Sequence, residues 1–231
     1  MSKTEPPSEG TTSSPLSPPN NGSLQLVPLG MIYSTLSLSL IGVVGNALII
    51  AATVSSPSLQ KRCNILIATL ACADLVVCIY LVQLRVLMLN GWYMIPNRHC
   101  YMVSIGGLFS LNVQAGMGLV LGIDRLLAVM SPTRYNRPRS KLLCCCMVFI
   151  VFIYSSLLTL YGYFYVSDSP TPVCLPPAAY RSTSRSVWVA CNMAIAVIVI
   201  LIYGIAHVKC RILTSKRIHF MDHILFLFHY L

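Results

Sequence analysis

Acidic charge is what this sequence has least of. Only 10% of its 231 residues are charged, and Asp and Glu number six against sixteen Lys and Arg. Soluble domains carry about 25% charged residues, whereas this chain has a mean hydropathy of +0.73. The composition excludes a soluble globular enzyme and favours a protein that folds in a lipid bilayer.

The signatures of enzymes and metal sites are also missing. No segment carries an HExxH pair, clustered His and acidic ligands, or a nucleophile beside its base. The net charge of +10 comes from cations in short loops, without the interleaved aromatic residues typical of nucleic-acid binding. We therefore expect no enzyme, no metal site and no nucleic-acid partner.

Long apolar runs are what the sequence has in abundance. Each of five runs is long enough to cross a hydrocarbon core of about 30 Å as a helix, and none alternates as a barrel strand does. The sequence predicts an all-α membrane protein with three parts: a disordered extracellular tail (1–26), a transmembrane bundle (27–208) and a cytoplasmic tail (209–231). The five runs cover residues 27–54, 64–89, 101–123, 142–166 and 187–208.

The loop cations predict the orientation. With the N-terminus outside, eleven Lys and Arg fall on the inner side and four on the outer side, as the positive-inside rule requires. The same orientation places the glycosylation sequon at Asn21 outside. We expect a multi-pass protein of the plasma membrane, with lipid as its surroundings.

Two of the ten cysteines fall in outer segments in this orientation. These are Cys100, at the outer end of the third span, and Cys174, in the loop after the fourth. Disulfides persist in oxidising compartments, so the sequence predicts a disulfide between Cys100 and Cys174.

Two ionisable residues lie within the second span, where charge is costly and marks candidate functional residues. Asn46 of the first span is a natural hydrogen-bonding neighbour of Asp74. Asp74 either holds two helices together by an interhelical hydrogen bond or has a role in coupling and ion binding. Arg85 lies eleven residues further on, within about 20° of the same helix face and roughly 16 Å nearer the outside. It either snorkels to the interface or anchors an anionic ligand group.

Several short motifs occur together in a familiar order. Gly45-Asn46, Leu70-Ala71-Cys72-Ala73-Asp74, Cys100 and Asp124-Arg125-Leu126 resemble those of rhodopsin-like G-protein-coupled receptors, with 28 residues from Asn46 to Asp74 and 25 from Cys100 to Arg125. Residues 63–68 and 122–129, with Pro132 and Tyr135, are similar to the nematode serpentine receptor class sx, a set of candidate chemoreceptors.

The resemblance implies a seven-helix bundle that binds an extracellular ligand and couples to a heterotrimeric G protein. It implies that Asp124 and Arg125 control the cytoplasmic end, and that Tyr203 stabilises the active state. Asp74 and Asn46 would belong to a coupling network that holds a sodium ion, the one cofactor implied. Gly107 stands where amine receptors carry an aspartate, so we do not expect an amine ligand.

The chain stops after the fifth run, and residues 224–231 are too few to span a bilayer. We therefore expect a partial seven-transmembrane bundle, truncated after its fifth helix. The alternative to a signalling receptor is a truncated fragment that associates with full-length receptors.

Overall fold

The computed structural model describes residues 27–131 and 138–229, with side chains described at 27–131 and 142–212. It consists of helices and two very short strands. In chain order the elements are α1 (Leu29–Ser55), a 3-10 turn (Pro57–Leu59), α2 (Arg62–Leu89), β1 (Ile95–Pro96), α3 (Asn97–Met130), α4 (Pro138–Phe164), β2 (Pro170–Thr171), α5 (Pro176–Ala179) and α6 (Ser182–His229).

Five of these helices are long and apolar enough to cross a membrane. The five predicted spans are therefore confirmed as helices. The protein is all-α and multi-pass, with the architecture of a partial seven-transmembrane bundle. The membrane-spanning parts are Leu29–Ser55, Arg62–Leu89, Asn97–Met130, Leu142–Phe164 and Ser182–Ile212.

Prolines set several of the helix ends. The Pro28 carbonyl accepts bonds from the Met31 and Ile32 N–H groups at 3.0 and 3.2 Å, where α1 begins. Pro57 lies two residues beyond the end of α1, and the residue before a proline is disfavoured in helical conformation. Pro96 likewise precedes α3. Proline lacks an N–H group and has a fixed φ angle, so it is tolerated at the start of a helix but disfavoured inside one. These prolines accordingly lie at or near helix ends.

Helix α3 forms the centre of the bundle, because it packs against α2, α4 and α6, whereas α1 packs chiefly on α2. In the most apolar stretch of α3, 39% of residues are buried, against 6% in α1 and in α6. The outward faces of α1 and α6 are apolar and exposed, as expected of surfaces that meet lipid.

The strands form a two-stranded antiparallel hairpin, with Ile95 opposite Thr171 and Pro96 opposite Pro170. It lies beside the beginnings of α1 and α3 and the end of α2, where Ile32 and Met88 are buried together. We call this the hairpin end of the bundle. The opposite end, where α2 begins and α3 approaches its C-terminus, is called the Asp124 end.

Two helices extend furthest beyond the predicted apolar runs. Helix α3 covers Asn97–Met130 rather than 101–123, and its two ends include the buried polar residues Asn97 and Asp124, whose burial hydropathy does not register. Helix α6 continues to His229, so residues 209–229 of the predicted tail are helical. Asn21, Pro132 and Tyr135 lie outside the described residues.

Candidate functional site

The hairpin end contains the predicted disulfide. Cys100 lies in the first turn of α3 and Cys174 in the loop after β2, with their Cα atoms 5.6 Å apart and an S–S bond of 2.01 Å. Both cysteines are buried. The prediction of this disulfide is confirmed, and it ties the central helix to the loop that precedes α6.

Two buried asparagines on α3 organise the polar groups around this disulfide. Asn97 donates from Nδ2 to the carbonyl oxygens of Ala178 (3.2 Å) and Ala179 (3.0 Å). Its Oδ1 accepts a bond from the Ser167 N–H at 3.3 Å. A single side chain therefore holds two parts of the loop between α4 and α6 against α3.

Asn112 has the corresponding role one layer deeper. Its Nδ2 donates to Thr159 Oγ1 on α4 (3.2 Å) and to Tyr180 Oη (3.4 Å). Its Oδ1 accepts from the indole N–H of Trp188 on α6 at 2.9 Å. Since Asn112 is fully buried, this amide joins three helices and the loop through satisfied bonds.

Aromatic rings complete the cluster. The rings of Tyr101 and Tyr180 meet edge to face at 5.8 Å, and Tyr180 stacks on Trp188 at 5.2 Å. Tyr101 donates its hydroxyl to the carbonyl oxygen of Thr159. Burial raises the pKa of Tyr180, although bonds with Asn112 and Thr159 oppose the shift, so this phenol is neutral at physiological pH.

Arg85 lies on the inner face of α2 at the same end, as its spacing predicts. Only 4% of the residue is exposed. Its Nη1 donates to Met88 Sδ at 3.2 Å, and its Nε has no hydrogen-bond partner within the described part of the chain. Among the described residues no carboxylate forms a salt bridge with it. A buried guanidinium therefore lies here without an acidic partner in the part of the chain that the structure describes.

The ring of Tyr80 occupies the space beside Gly107, where α3 has no side chain. A Cβ atom at Gly107 would overlap the Tyr80 ring, so this ring fills the space beside α3. Tyr80 is 3% exposed, and its hydroxyl has no hydrogen-bond partner among the described residues. It interacts electrostatically with Arg85 and with the Ser104 side chain. The sequence did not predict a role for Tyr80, because the only sign of this contact in the sequence is the glycine at position 107 within an apolar helix.

The Asp124 end depends on an ion pair. Arg62, in the first turn of α2, donates from Nε to Asp124 Oδ1 at 2.9 Å and also from Nη2 to the same oxygen. Asp124 is fully buried, and the Arg62 side chain is 13% exposed. The sequence indicated Arg62 only as an inner-side cation, because a contact across 62 residues leaves no local pattern.

Arg125, the neighbour of Asp124, is exposed, and among the described side chains it forms no salt bridge. Tyr203 of α6 reaches α3 close by, since a Cβ at Gly122 would lie 3.3 Å from the Tyr203 ring. The structure therefore brings Asp124, Arg125 and Tyr203 to the same end of the bundle. Their roles in coupling stay predictions.

The two intramembrane polar residues have separate contacts. The Asp74 carboxyl lies against Gln114 of α3, and its Oδ1 has no hydrogen-bond partner within the described residues. Asn46 interacts with Cys78, one turn along α2. Helices α1 and α2 approach closely there, because a Cβ at Gly42 would lie 2.6 Å from Cys78 Sγ. Joint action of Asn46 and Asp74 stays a prediction.

A helical bundle whose central helix is cross-linked at one end, and carries a buried Asp beside an exposed Arg at the other, is the arrangement that the resemblance to seven-helix receptors implies. The family model described as "Serpentine type 7TM GPCR chemoreceptor Srsx" matches residues 39–225. The chain belongs to this family of rhodopsin-like G-protein-coupled receptors. The members of this family are receptors rather than enzymes, in agreement with the prediction from the sequence.

Curated relatives come from the same receptor class. The chain is 25% identical to the alpha-2Da adrenergic receptor of Danio rerio over 122 residues. This aligned region covers 52% of the chain and 30% of the relative. The chain is 27% identical to the tyramine receptor Ser-2 of Caenorhabditis elegans (51% and 26%), and 29% identical to the bombesin receptor subtype-3 of Ovis aries (56% and 33%). The matches span only a quarter to a third of these relatives.

Proposed function

We propose that this protein is a chemosensory receptor of the plasma membrane that passes an extracellular ligand signal to a heterotrimeric G protein. The observation that carries the proposal is the pairing at the Asp124 end. Arg62 neutralises the buried Asp124, while Arg125 remains exposed beside it. A charge held by a breakable ion pair next to an exposed cation suits a switch between two states.

The chemistry of the two ends supports an extracellular N-terminus. The disulfide favours an oxidising compartment for the hairpin end. The start of α1 lies at that end, where Val27 and Ile32 pack near Val173 and Leu175. Cations concentrate at the opposite end, as expected of a cytoplasmic face. Lipid then covers the exposed apolar faces of the helices.

Tyr203 supports a role for the α3–α6 contact in state switching. Its ring lies against Gly122, one turn before Arg125, and the residue is 44% exposed. A movement of α6 would therefore change the surroundings of Arg125 directly. A G protein would engage this exposed surface.

Asp74 supports a second element of the switch, the proposed sodium site. Its Oδ1, which has no hydrogen-bond partner among the described residues, belongs to a carboxylate that lies between α2 and α3 beside Gln114. A cation there would offset the cost of an intramembrane carboxylate.

Sodium should raise the thermal stability of the wild-type chain above that in choline at equal ionic strength, and Asp74→Asn should abolish the difference. An equal response of the variant would remove sodium from the proposal.

G-protein activation tests the main proposal without a known ligand. Nucleotide exchange on a panel of purified Gα subunits is measured with membranes that contain the chain, and Asp124→Asn should raise basal exchange because it removes the charge attraction between Arg62 and Asp124. Arg125→Ala should lower exchange to the level of empty membranes, while Arg98→Ala at the hairpin end should match wild type. Exchange that equals empty membranes for wild type and Asp124→Asn would overturn the proposal.

A further inference from the structure

The strongest unexplained feature outside the switch is the buried cation at the hairpin end. Only 4% of Arg85 is exposed, and its Nε has no hydrogen-bond partner among the described residues. Charged residues inside a bilayer are costly unless they pair or bind something. The nearest acidic residue on the same helix, Asp74, lies roughly 16 Å away along the axis. The chain itself therefore offers Arg85 no evident counter-charge among the described residues.

A second buried donor lies beside it. The Tyr80 hydroxyl has the Ser104 side chain as a polar neighbour and interacts with the Arg85 guanidinium, but it forms no hydrogen bond of normal geometry in the described part of the chain. A buried donor without a well-placed acceptor destabilises the fold. Arg85 and Tyr80 together thus present N–H and O–H groups that no carboxylate among the described residues accepts.

The surroundings of these two donors are buried and apolar. Leu84, Leu108 and the disulfide belong to one buried cluster with Tyr80. Ser104 Oγ lies 3.5 Å from Cys174 Sγ, which connects the donors to the cross-linked loop. Met88 borders Arg85 on the other side. An acceptor that enters here meets two polar groups and otherwise hydrocarbon and sulfur.

We propose that Arg85 and Tyr80 form a binding site for a small organic carboxylate with an apolar body. A carboxylate is a single negative charge with two oxygens, which matches one guanidinium and one hydroxyl. A phosphate dianion would need further cations, and among the described residues none other than Arg85 belongs to this cluster. The inference rests on the proposed receptor function and names its ligand class. Gly107 agrees with it, because the Tyr80 ring occupies the space that an amine-binding carboxylate would need.

Ligand-induced thermal stabilisation tests the site without a G protein. The detergent-solubilised chain is unfolded in the presence of hexanoate or phenylacetate, or of the neutral hexanamide or phenylacetamide, at constant sodium concentration. At saturating concentration the carboxylates should raise Tm by about 5 °C, and the amides should not. Arg85→Gln should abolish the shift, and Tyr80→Phe, which removes only one oxygen, should reduce it. Arg98→Gln, an exposed cation at the same end, should retain it.

The proposal is overturned if neither carboxylate stabilises the chain, if the amides stabilise it equally, or if the shift survives in Arg85→Gln. Tyr80→Phe keeps the test decisive even if Arg85→Gln fails to fold, since an unchanged shift in Tyr80→Phe also contradicts the two-donor site. A carboxylate shift without nucleotide exchange would refute the receptor proposal alone. Nucleotide exchange without a carboxylate shift would refute the ligand class alone.

Discussion

The two ends of this bundle are held by different chemistry. At the hairpin end, a disulfide and the amide of Asn97 fix α3 to the loop before α6, and the Asn112 amide accepts a bond from Trp188 of α6. At the Asp124 end, the described residues include a long-range ion pair between Arg62 and Asp124. In the described part of the molecule, one end is therefore covalent and hydrogen-bonded, whereas the other contains charges that can separate.

The two arginines of α2 also differ in the groups that they contact. Arg62 lies at the Asp124 end and faces a carboxylate, whereas Arg85 lies at the hairpin end and faces a phenol and a thioether. Both are largely buried, and among the described residues one cation faces a carboxylate while the other has an Nε without a hydrogen-bond partner. The cross-linked end is thus suited to recognition and the ion-paired end to switching.

The largest expected effect comes from removing the covalent link. Replacement of both Cys100 and Cys174 by Ser opens a loop of 74 residues and should lower the free energy of unfolding by about 4 kcal/mol. Thermal unfolding of the purified chain measures the loss. The free Cys63 and Cys191, replaced by Ser, serve as controls, and an equal loss in those controls would contradict the distinction between the ends.

The ion pair should come next. Asp124→Asn keeps the shape of the side chain but leaves Arg62 facing a neutral amide, and should cost about 3 kcal/mol. The double variant Arg62→Gln, Asp124→Asn should recover part of this loss, because both charges of this pair are removed together. Denaturant titration of the four forms gives the coupling energy. Strict additivity of the two substitutions would show that the pair does not stabilise this end.

Asn112 should have the third largest effect. Asn112→Ala leaves the indole N–H of Trp188 and two hydroxyls without this partner, and should cost about 2 kcal/mol. With Trp92→Phe in the background, the emission of Trp188 reports the change directly. Asn192→Ala is the matched control, since Asn192 donates only to the Trp188 carbonyl within its own helix. Unchanged Trp188 emission in Asn112→Ala would contradict the described contact.

Two adjacent glycines provide the smallest and most local comparison. Gly107→Ala collides with the Tyr80 ring and should cost about 1–2 kcal/mol. A Cβ at Gly106 meets nothing within 4 Å, so Gly106→Ala should stabilise the helix by up to about 1 kcal/mol. Thermal unfolding compares the two, and the same sign of change for both would place Tyr80 elsewhere.

The sequence predicts the architecture well because hydropathy and length determine which segments span a bilayer. It also predicts the Cys100–Cys174 disulfide, since the loop charges leave only these two cysteines in outer segments. The placement of Arg85 on the inner face of α2 follows from its helical spacing to Asp74.

The contacts that define the site could not be predicted in this way. Asn97 and Asn112 look like ordinary polar residues of a helix, and Tyr80 like one more apolar position. The pairing of Arg62 with Asp124 depends on how α2 and α3 cross, which no single segment encodes. Such long-range contacts arise only when the helices pack.

Thermal unfolding of Arg62→Met and Arg85→Met, side by side in the same detergent, tests the central comparison most directly. Arg62→Met removes the cation that faces the buried Asp124 and should lower Tm. Arg85→Met replaces a buried cation that has no acidic partner among the described residues with an apolar chain of similar length, and should raise Tm. A fall of Tm in both variants would contradict the account, because it would make Arg85 a structural residue like Arg62.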